Sequence, residues 1–447
     1  MNTPSLKKSS FFFLLLAVAG LAAWRATADS ITVQMDKPGV RMSPMFFGLM
    51  TEEINHSYDG GLYAELIRNR VFKDSAQNPV SWSIVQAGGA AAAMALDKAT
   101  PLSDALGTSL RLDVTSATDG KRAGVANTGY WGIPVTPDTL YHASFYAKAA
   151  PGFAGPVTVS IESEDGATVY ATAKVKRLSA EWRQYSVKLT TGKVAATTDA
   201  RFVISVNNPG TVWLNLVSLF PPTFNKRATG NRIDLMNLLA GMKPAFLRLP
   251  GGNYLEGDTI PTRFEWKKTI GDLTQRPGHQ GTWSYRSSDG MGLLEFLEWC
   301  EDLKMEPVLA VYAGYSLRQQ HIEPGPELVP YVQDALDEIE YVTGDAHTRW
   351  GAERIKDGHR APFKLTYVEI GNEDNFDRSR SYDGRYAQFY DAIKAKYPQL
   401  QLIATMPVKL RKPDVVDDHY YRSARAMEAD AKHWANGRRP RVRRRRR

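Results

Sequence analysis

The stretch Tyr367-Val368-Glu369-Ile370-Gly371-Asn372-Glu373-Asp374 is an apolar strand pattern that stops at a glycine and then presents an amide and two carboxylates. A (β/α) barrel places its catalytic side chains at the C-terminal ends of its strands, so this is where such a fold would carry chemistry. A carboxyl group held protonated there is able to give a proton to a leaving oxygen. Glu373 is therefore a candidate general acid, and Asn372 a candidate partner for a substrate hydroxyl. The same residues also suit a helix N-terminus, where Asn and Glu satisfy free backbone amides.

The flanking sequence alternates between helical and strand periodicity. The spacing of apolar residues predicts helices over 231–241, 291–303, 330–342 and 385–397, and strands over 245–249, 307–312, 365–370, 400–404 and 415–421. Strands alternating with helices imply a parallel sheet, and a (β/α)8-type barrel fits best. Upstream, Met45-Phe46-Phe47-Gly48-Leu49-Met50 reads as the first barrel strand, buried on both faces, and 61–67 as the helix after it. Only six barrel strands are found, so the barrel is predicted to be incomplete. The run Ile31-Thr32-Val33-Gln34-Met35 reads as a separate short strand.

From about residue 80 to residue 222 the texture changes. Short alternating segments at 109–114, 141–147, 157–163, 182–189, 202–206 and 212–216 are separated by turn signals such as Glu164-Asp165-Gly166 and Asn207-Asn208-Pro209-Gly210. That pattern predicts a β-sandwich inserted into the barrel. The predicted organisation is a leader over 1–28, a barrel start over 29–79, the insertion over 80–222, the rest of the barrel over 223–433 and an arginine-rich tail over 434–447. Trp131, Trp182 and Trp213 are candidate sugar platforms, although tryptophans in a sandwich more often fill the inter-sheet core.

Three further motifs fall at strand ends. Arg248-Leu249-Pro250-Gly251-Gly252-Asn253 brings glycines that allow close ligand approach, with Arg248 and Asn253 suited to hydroxyls or carboxylates. It has no phosphate-binding spacing, and an ordinary βα turn would look the same. Thr51-Glu52-Glu53-Ile54-Asn55-His56 follows the first strand; no metal motif accompanies its carboxylates, so polyol binding is the better use. A solvated loop is the other reading. Asp417-Asp418-His419-Tyr420-Tyr421 offers a histidine to position a carboxylate and a tyrosine to stack or donate, though a satisfied core histidine is equally consistent.

Composition sets the remaining bounds. The chain has 447 residues and a formal charge of +8, but eight of its 56 basic residues are arginines within the last ten positions. The other 48 balance 48 acidic residues, so no basic domain surface is expected and a nucleic-acid partner is not. The single cysteine, Cys300, lies in a helical apolar run and reads as packing rather than as a nucleophile. Lys7 and Lys8, an apolar run over 11–23 and Ala26-Thr27-Ala28 read as a cleavable secretory signal, which predicts a periplasmic or extracellular protein with no membrane attachment after cleavage.

Taken together, the motifs at 47–56, 247–253, 371–373 and 416–421 resemble the α-L-arabinofuranosidases of glycoside hydrolase family 51. The resemblance runs from about Asp36 to Ser423, with an insertion similar to carbohydrate-binding modules. It implies a retaining hydrolase without metal or other cofactor, acting on arabinose-containing polysaccharides or oligosaccharides. By motif match Glu373 resembles the acid/base, and Glu52, Arg248, Asn253, Asn372, His419 and Tyr421 resemble residues that line the sugar pocket. Retention needs a second carboxylate about 5–5.5 Å from the first. In the family it lies at the end of the seventh barrel strand, whereas here only Glu428 follows Glu373, in a helix-like stretch. Glu428 is not accepted as nucleophile. The expectation is a family member cut off or frame-shifted near Ala431 and hydrolysing near background. A non-catalytic carbohydrate-binding protein, another two-carboxylate barrel glycosidase acting on xylosides or glucans, and a polyanion binder using the tail remain the alternatives.

Overall fold

The computed structural model describes residues 32–37, 39, 41–118, 120–153 and 155–430. The predicted signal segment and arginine tail lie outside the described residues. Six strands form one sheet in the order Leu49–Met50, Phe246–Leu249, Glu306–Val311, Tyr367–Ile370, Gln401–Ala404 and Val415–Val416. All five pairings are parallel, and spatial order equals chain order. The sheet curls. Neighbouring strands lie about 4.8 Å apart, so four strand spacings span about 19 Å in a flat sheet. Yet Arg248 on the second strand lies 3.8 Å from Asp417, just past the sixth. The result is an open half-barrel.

Period-two alternation decides what each face holds. Leu247, Leu249, Leu309, Val311, Val368 and Ile370 point to one core, packed under Leu293, Phe296, Leu297, Ile339, Tyr386 and Phe389 of the surrounding helices. Their neighbours Arg248, Ala310 and Glu369 point the other way and are buried as well. The helix Leu293–Leu303 shows why these helices form. Its start is closed by the Gly292 amide donating to Glu295, its stripe Leu293, Phe296, Leu297 and Cys300 is buried, and Lys304 ends it in the left-handed region at φ 58°.

Ten strands between residues 82 and 220 form two five-stranded antiparallel sheets. One contains Trp82–Ala87, Arg122–Asn127, Val157–Ser163, Val169–Val175 and Ala200–Val206; the other contains Ala91–Asp97, Ser109–Ser116, Leu140–Ala149, Arg183–Thr190 and Gly210–Phe220. Their inner faces share a hydrocarbon core that includes Leu112, Phe145, Val159, Ile161, Phe202 and Leu214. Trp82 is the tryptophan in that core. Trp182 and Trp213 are half-buried and Trp131 is 67% exposed, so none of the three candidate platforms fills the interior.

Several expectations are corrected. Residues 61–67 are not a helix: the Ala64 amide bonds to Gly230 and the Leu66 amide to Leu219, so distant carbonyls replace the i−4 acceptors. Glu65, ion-paired to Arg70 at 3.0 Å, also accepts the amides of Ile67 and Leu219. The first barrel strand is only Leu49–Met50, and Phe46, Phe47 and Met50 are exposed because it sits at a sheet edge. The last is Val415–Val416, with irregular chain over 417–423 where the sequence pattern predicts strand as far as 421. Residues 32–37 form no strand; Val33 and Met35 are largely exposed.

Candidate active site

The C-terminal end of the Tyr367–Ile370 strand builds the centre of the site. Gly371 has φ 90°, and a Cβ there would stand 2.1 Å from Asp374 Oδ2. Only glycine lets the chain turn so tightly over that buried carboxylate. Two residues later Glu373, a non-glycine residue, is itself left-handed at φ 44°. Residues held this way tend to cluster at functional sites, because the surroundings must fix them. Below the turn Asp374 is anchored by Arg385 at 2.9 Å and by the Thr405 hydroxyl at 3.0 Å. Burial pushes its carboxyl up to about 7, against the pull of Arg385.

The Glu373 carboxylate is partly open to solvent and pairs with His419 Nδ1 at 2.8 Å. His419 Nε2 meets Asp417 Oδ2 at 2.7 Å. Hydrogen bonds to Asp417 and then Glu373 push the imidazole up to about 10, which favours an imidazolium that donates in both directions. Asp417 is held below the usual carboxylate range, burial being outweighed by His419 and Arg248.

Beneath this pair lies a buried polar network. Arg248 donates to both oxygens of Glu369, at 2.5 and 2.7 Å, and to Asn372 Oδ1 at 2.8 Å. Asn372 Nδ2 in turn donates to Glu256 Oε2 at 2.7 Å, and Asn253 Nδ2 donates to the same oxygen at 2.9 Å. Burial pushes Glu256 up to about 8; the two amides pull it down, and Asp374 and Glu373 push it further up. Because Arg248 fixes one end of the Asn372 amide and Glu256 the other, the donor and acceptor sides of that amide are assigned without ambiguity.

Glu52 enters from the segment after the first strand. A Cβ on Gly252, which has φ 61°, would lie 2.0 Å from Glu52 Oε2, so the glycine makes the space this carboxylate uses. Burial raises Glu52; the Asn253 and Tyr254 amides and the Arg248 charge lower it, and Glu373 raises it again. Its neighbour Glu53 is buried, accepts from the Tyr285 hydroxyl at 2.6 Å and takes the amides of Tyr58 and Asp59. Burial, then the Asp59 charge, pushes Glu53 up to about 8.

The fold thus gathers Glu52, Arg248, Asn253, Asn372, Glu373 and His419 at one end of the parallel sheet. Two expectations change. Tyr421 is 76% exposed and 6.1 Å from the His419 ring; the chain has left the sheet by Val416, and among the described residues none covers the tyrosine. Arg248 is 8% exposed and spends its hydrogen bonds on Glu369 and Asn372, so it braces Asn372. Glu256, Glu369 and Asp417 were not among the expected site residues. Glu369 had a readable signal, a charge at an inward position of an apolar strand; Glu256 had a weaker one, three residues past Asn253. Glu428 is exposed on the short helix Ala424–Ala429, away from this network.

Comparison with known proteins follows the same lines. Residues 238–439 match the family described as the α-L-arabinofuranosidase 1 domain, and residues 64–211 match a carbohydrate binding domain family. The chain is 38% identical over 411 residues to the probable α-L-arabinofuranosidase A of Aspergillus terreus, covering 88% of this chain and 64% of the relative. It is 35% identical to α-L-arabinofuranosidase 1 of Arabidopsis thaliana, covering 88% of this chain and 59% of the relative. An arabinose-bound family 51 α-L-arabinofuranosidase structure superposes with a TM-score of 0.83 at 37% identity, covering 89% of this chain and 65% of that one. The chain therefore spans about 64% of the length of the Aspergillus terreus relative.

Proposed function

Because the chain belongs to the α-L-arabinofuranosidases of glycoside hydrolase family 51, we propose that this sheet end binds a terminal α-L-arabinofuranosyl group and that Glu373 is its proton donor. The substrate is an arabinose-containing plant polysaccharide or oligosaccharide. The observation that carries the proposal is the Glu373–His419–Asp417 chain of hydrogen bonds. A general acid/base must alternate between carboxylic acid and carboxylate. With His419 donating to Oε1 throughout, the transferable proton belongs on Oε2, and the charge left on Glu373 after protonation of the leaving oxygen meets a cation already in place. Asp417 holds that imidazole in orientation.

Glu52 and the remaining N–H of Asn372 are assigned to ring hydroxyls, and Arg248, Glu256 and Glu369 to holding Asn372. A retaining displacement also needs an attacking carboxylate. None of the described residues is assigned that role, and in the donor's test added azide takes the place of the attacking group. We further propose that the two antiparallel sheets are an inserted carbohydrate-binding-module-like domain over about 80–222, between barrel parts at 29–79 and 223–433. The basic pair, apolar run and small-residue site at the start of the sequence support export to the periplasm or exterior.

The test measures release from aryl arabinofuranosides with good and poor leaving groups, with and without azide as an external nucleophile. Glu373→Gln is expected to slow the poor leaving group by about 10²–10⁴-fold and to leave the good one within about tenfold. Equal losses on both substrates would overturn the donor assignment. So would a parent chain that releases neither aglycone under either condition.

A further inference from the structure

The loop after the strand Arg122–Asn127 holds a tryptophan outward that the chemistry above does not use. Gly129 and Gly132 bracket it at φ 68° and 92°, where a Cβ would stand 2.9 Å from the Leu66 carbonyl and 1.9 Å from the Thr198 carbonyl. Tyr130 turns inward, so close to residue 60 that a Cβ on Gly60 would lie 2.5 Å from its ring. Trp131 turns outward and stays 67% exposed. The loop is pinned at both ends and holds this indole in water, so the ring contributes little to packing and is available to a ligand.

Its neighbours tie it to the sheet end. His56 meets Trp131 edge-on, at 5.7 Å and 86°, and Tyr130 lies 6.0 Å away at a tilt, so neither ring stacks on the indole. His56 itself stacks on Tyr285 at 4.0 Å, and the Tyr285 hydroxyl accepts the His56 amide at 2.8 Å while donating to Glu53 at 2.6 Å. His56 is four residues past Glu52, at most about 14 Å of chain. Asn55, exposed and left-handed at φ 53°, directly precedes His56. In the cleft behind them Arg68, Arg70 and Arg286 are matched by Asp59, Glu65 and Asp74, so no net charge selects an ionic ligand.

We propose that Trp131, backed by His56 and Tyr285, is a stacking platform for an uncharged pyranose ring of the polymer that carries the arabinofuranosyl group. This rests on the reading of the sheet end as an arabinofuranosyl site, and it gives the two antiparallel sheets a part in choosing the substrate. A rigid aromatic surface binds a sugar face at little conformational cost.

The test uses an unbranched β-1,4-xylohexaose, which has no arabinosyl group, titrated into the full chain by calorimetry and tryptophan fluorescence. L-Arabinose is titrated separately to report the sheet end. Trp131→Ala is expected to weaken xylohexaose binding at least tenfold with arabinose binding unchanged, whereas Trp131→Phe and Trp182→Ala stay within about threefold of the parent. Undiminished binding in Trp131→Ala, loss in Trp182→Ala instead, or no xylohexaose binding by a parent that binds arabinose overturns the platform. An α-1,5-linked arabinohexaose bound through Trp131 in place of xylohexaose overturns the pyranose assignment. Failure of arabinose alone to bind overturns the sheet-end reading and leaves the platform measurable by its own ligand.

Discussion

Between the two antiparallel sheets the interior is hydrocarbon: Phe145, Val159, Ile161 and Phe202 are all fully buried there. The inner side of the parallel sheet and the turn at its C-terminal end bury, beside apolar residues such as Ala310, the polar groups of Glu256, Glu369, Asn372 and Asp374 with Arg248 and Arg385. One interior is stabilised by apolar area removed from water, and any residue of similar volume and polarity serves. The other contains desolvated charges that hold because they meet partners at set distances. A protein that needed stability alone would fill both with hydrocarbon. In the proposed site the charged interior fixes Asn372, Glu373 and His419 before a ligand arrives.

The sharpest way to break this contrast is to remove the cation of the charged interior. Arg248→Met leaves Glu369, 1% exposed, without its partner and is expected to destabilise the fold by about 3–5 kcal/mol in denaturant melts. Arg248→Met with Glu369→Leu should recover most of that loss and still fail to bind arabinose, because Asn372 loses its fixed orientation. A double variant no more stable than the single one would mean that the network is not held by charge compensation. In the hydrocarbon interior Phe145→Ala should cost a similar 3–5 kcal/mol by leaving a cavity. Arabinose affinity should then stay within about twofold, and a larger loss would show that the two interiors are coupled.

The same contrast governs what the sequence discloses. Val157–Ser163 and Tyr367–Ile370 are rich in β-branched and aromatic residues and announce themselves. Ala91–Asp97 and Arg122–Asn127, built largely from alanine, glycine and single polar residues, carry no such pattern; their strands are set by pairing with Ser109–Ser116 and Ala200–Val206. The helix Arg349–Lys356 is missed because it buries only Gly351 and Arg354 and so has no apolar stripe. Residues 61–67 have the stripe and no helix, since Glu65 is satisfied by Arg70 and distant amides. At the site, strand-end position identifies Glu52, Asn253, Glu373 and His419. What Arg248 or Asn372 binds is decided by residues far away in sequence, and periodicity holds no record of that.

The smallest effect sharpens the comparison through pH. Glu256 is raised to about 8 by burial, facing Glu373 and Asp374 as charges and Asn253 and Asn372 as donors. A carboxyl whose folded value lies above its unfolded one binds more protons in the folded state, so its contribution is complete below the unfolded value and is lost as pH rises through the folded one. Glu256→Gln mimics the neutral acid and keeps an oxygen for both amides. Relative to the parent, its melting temperature should rise steadily from pH 5 to pH 8.5. His419, raised to about 10, loses its contribution in the same direction at higher pH, but it is present in both proteins and cancels in the difference. The hydrocarbon interior supplies the control: Ile161→Val should cost about 0.5–1.5 kcal/mol by the same amount at every pH, since it changes no proton equilibrium. A Glu256→Gln difference that is flat over this range would show that the carboxylate is already ionised in the folded protein. The charged interior would then be compensated more fully than its buried hydrogen bonds imply.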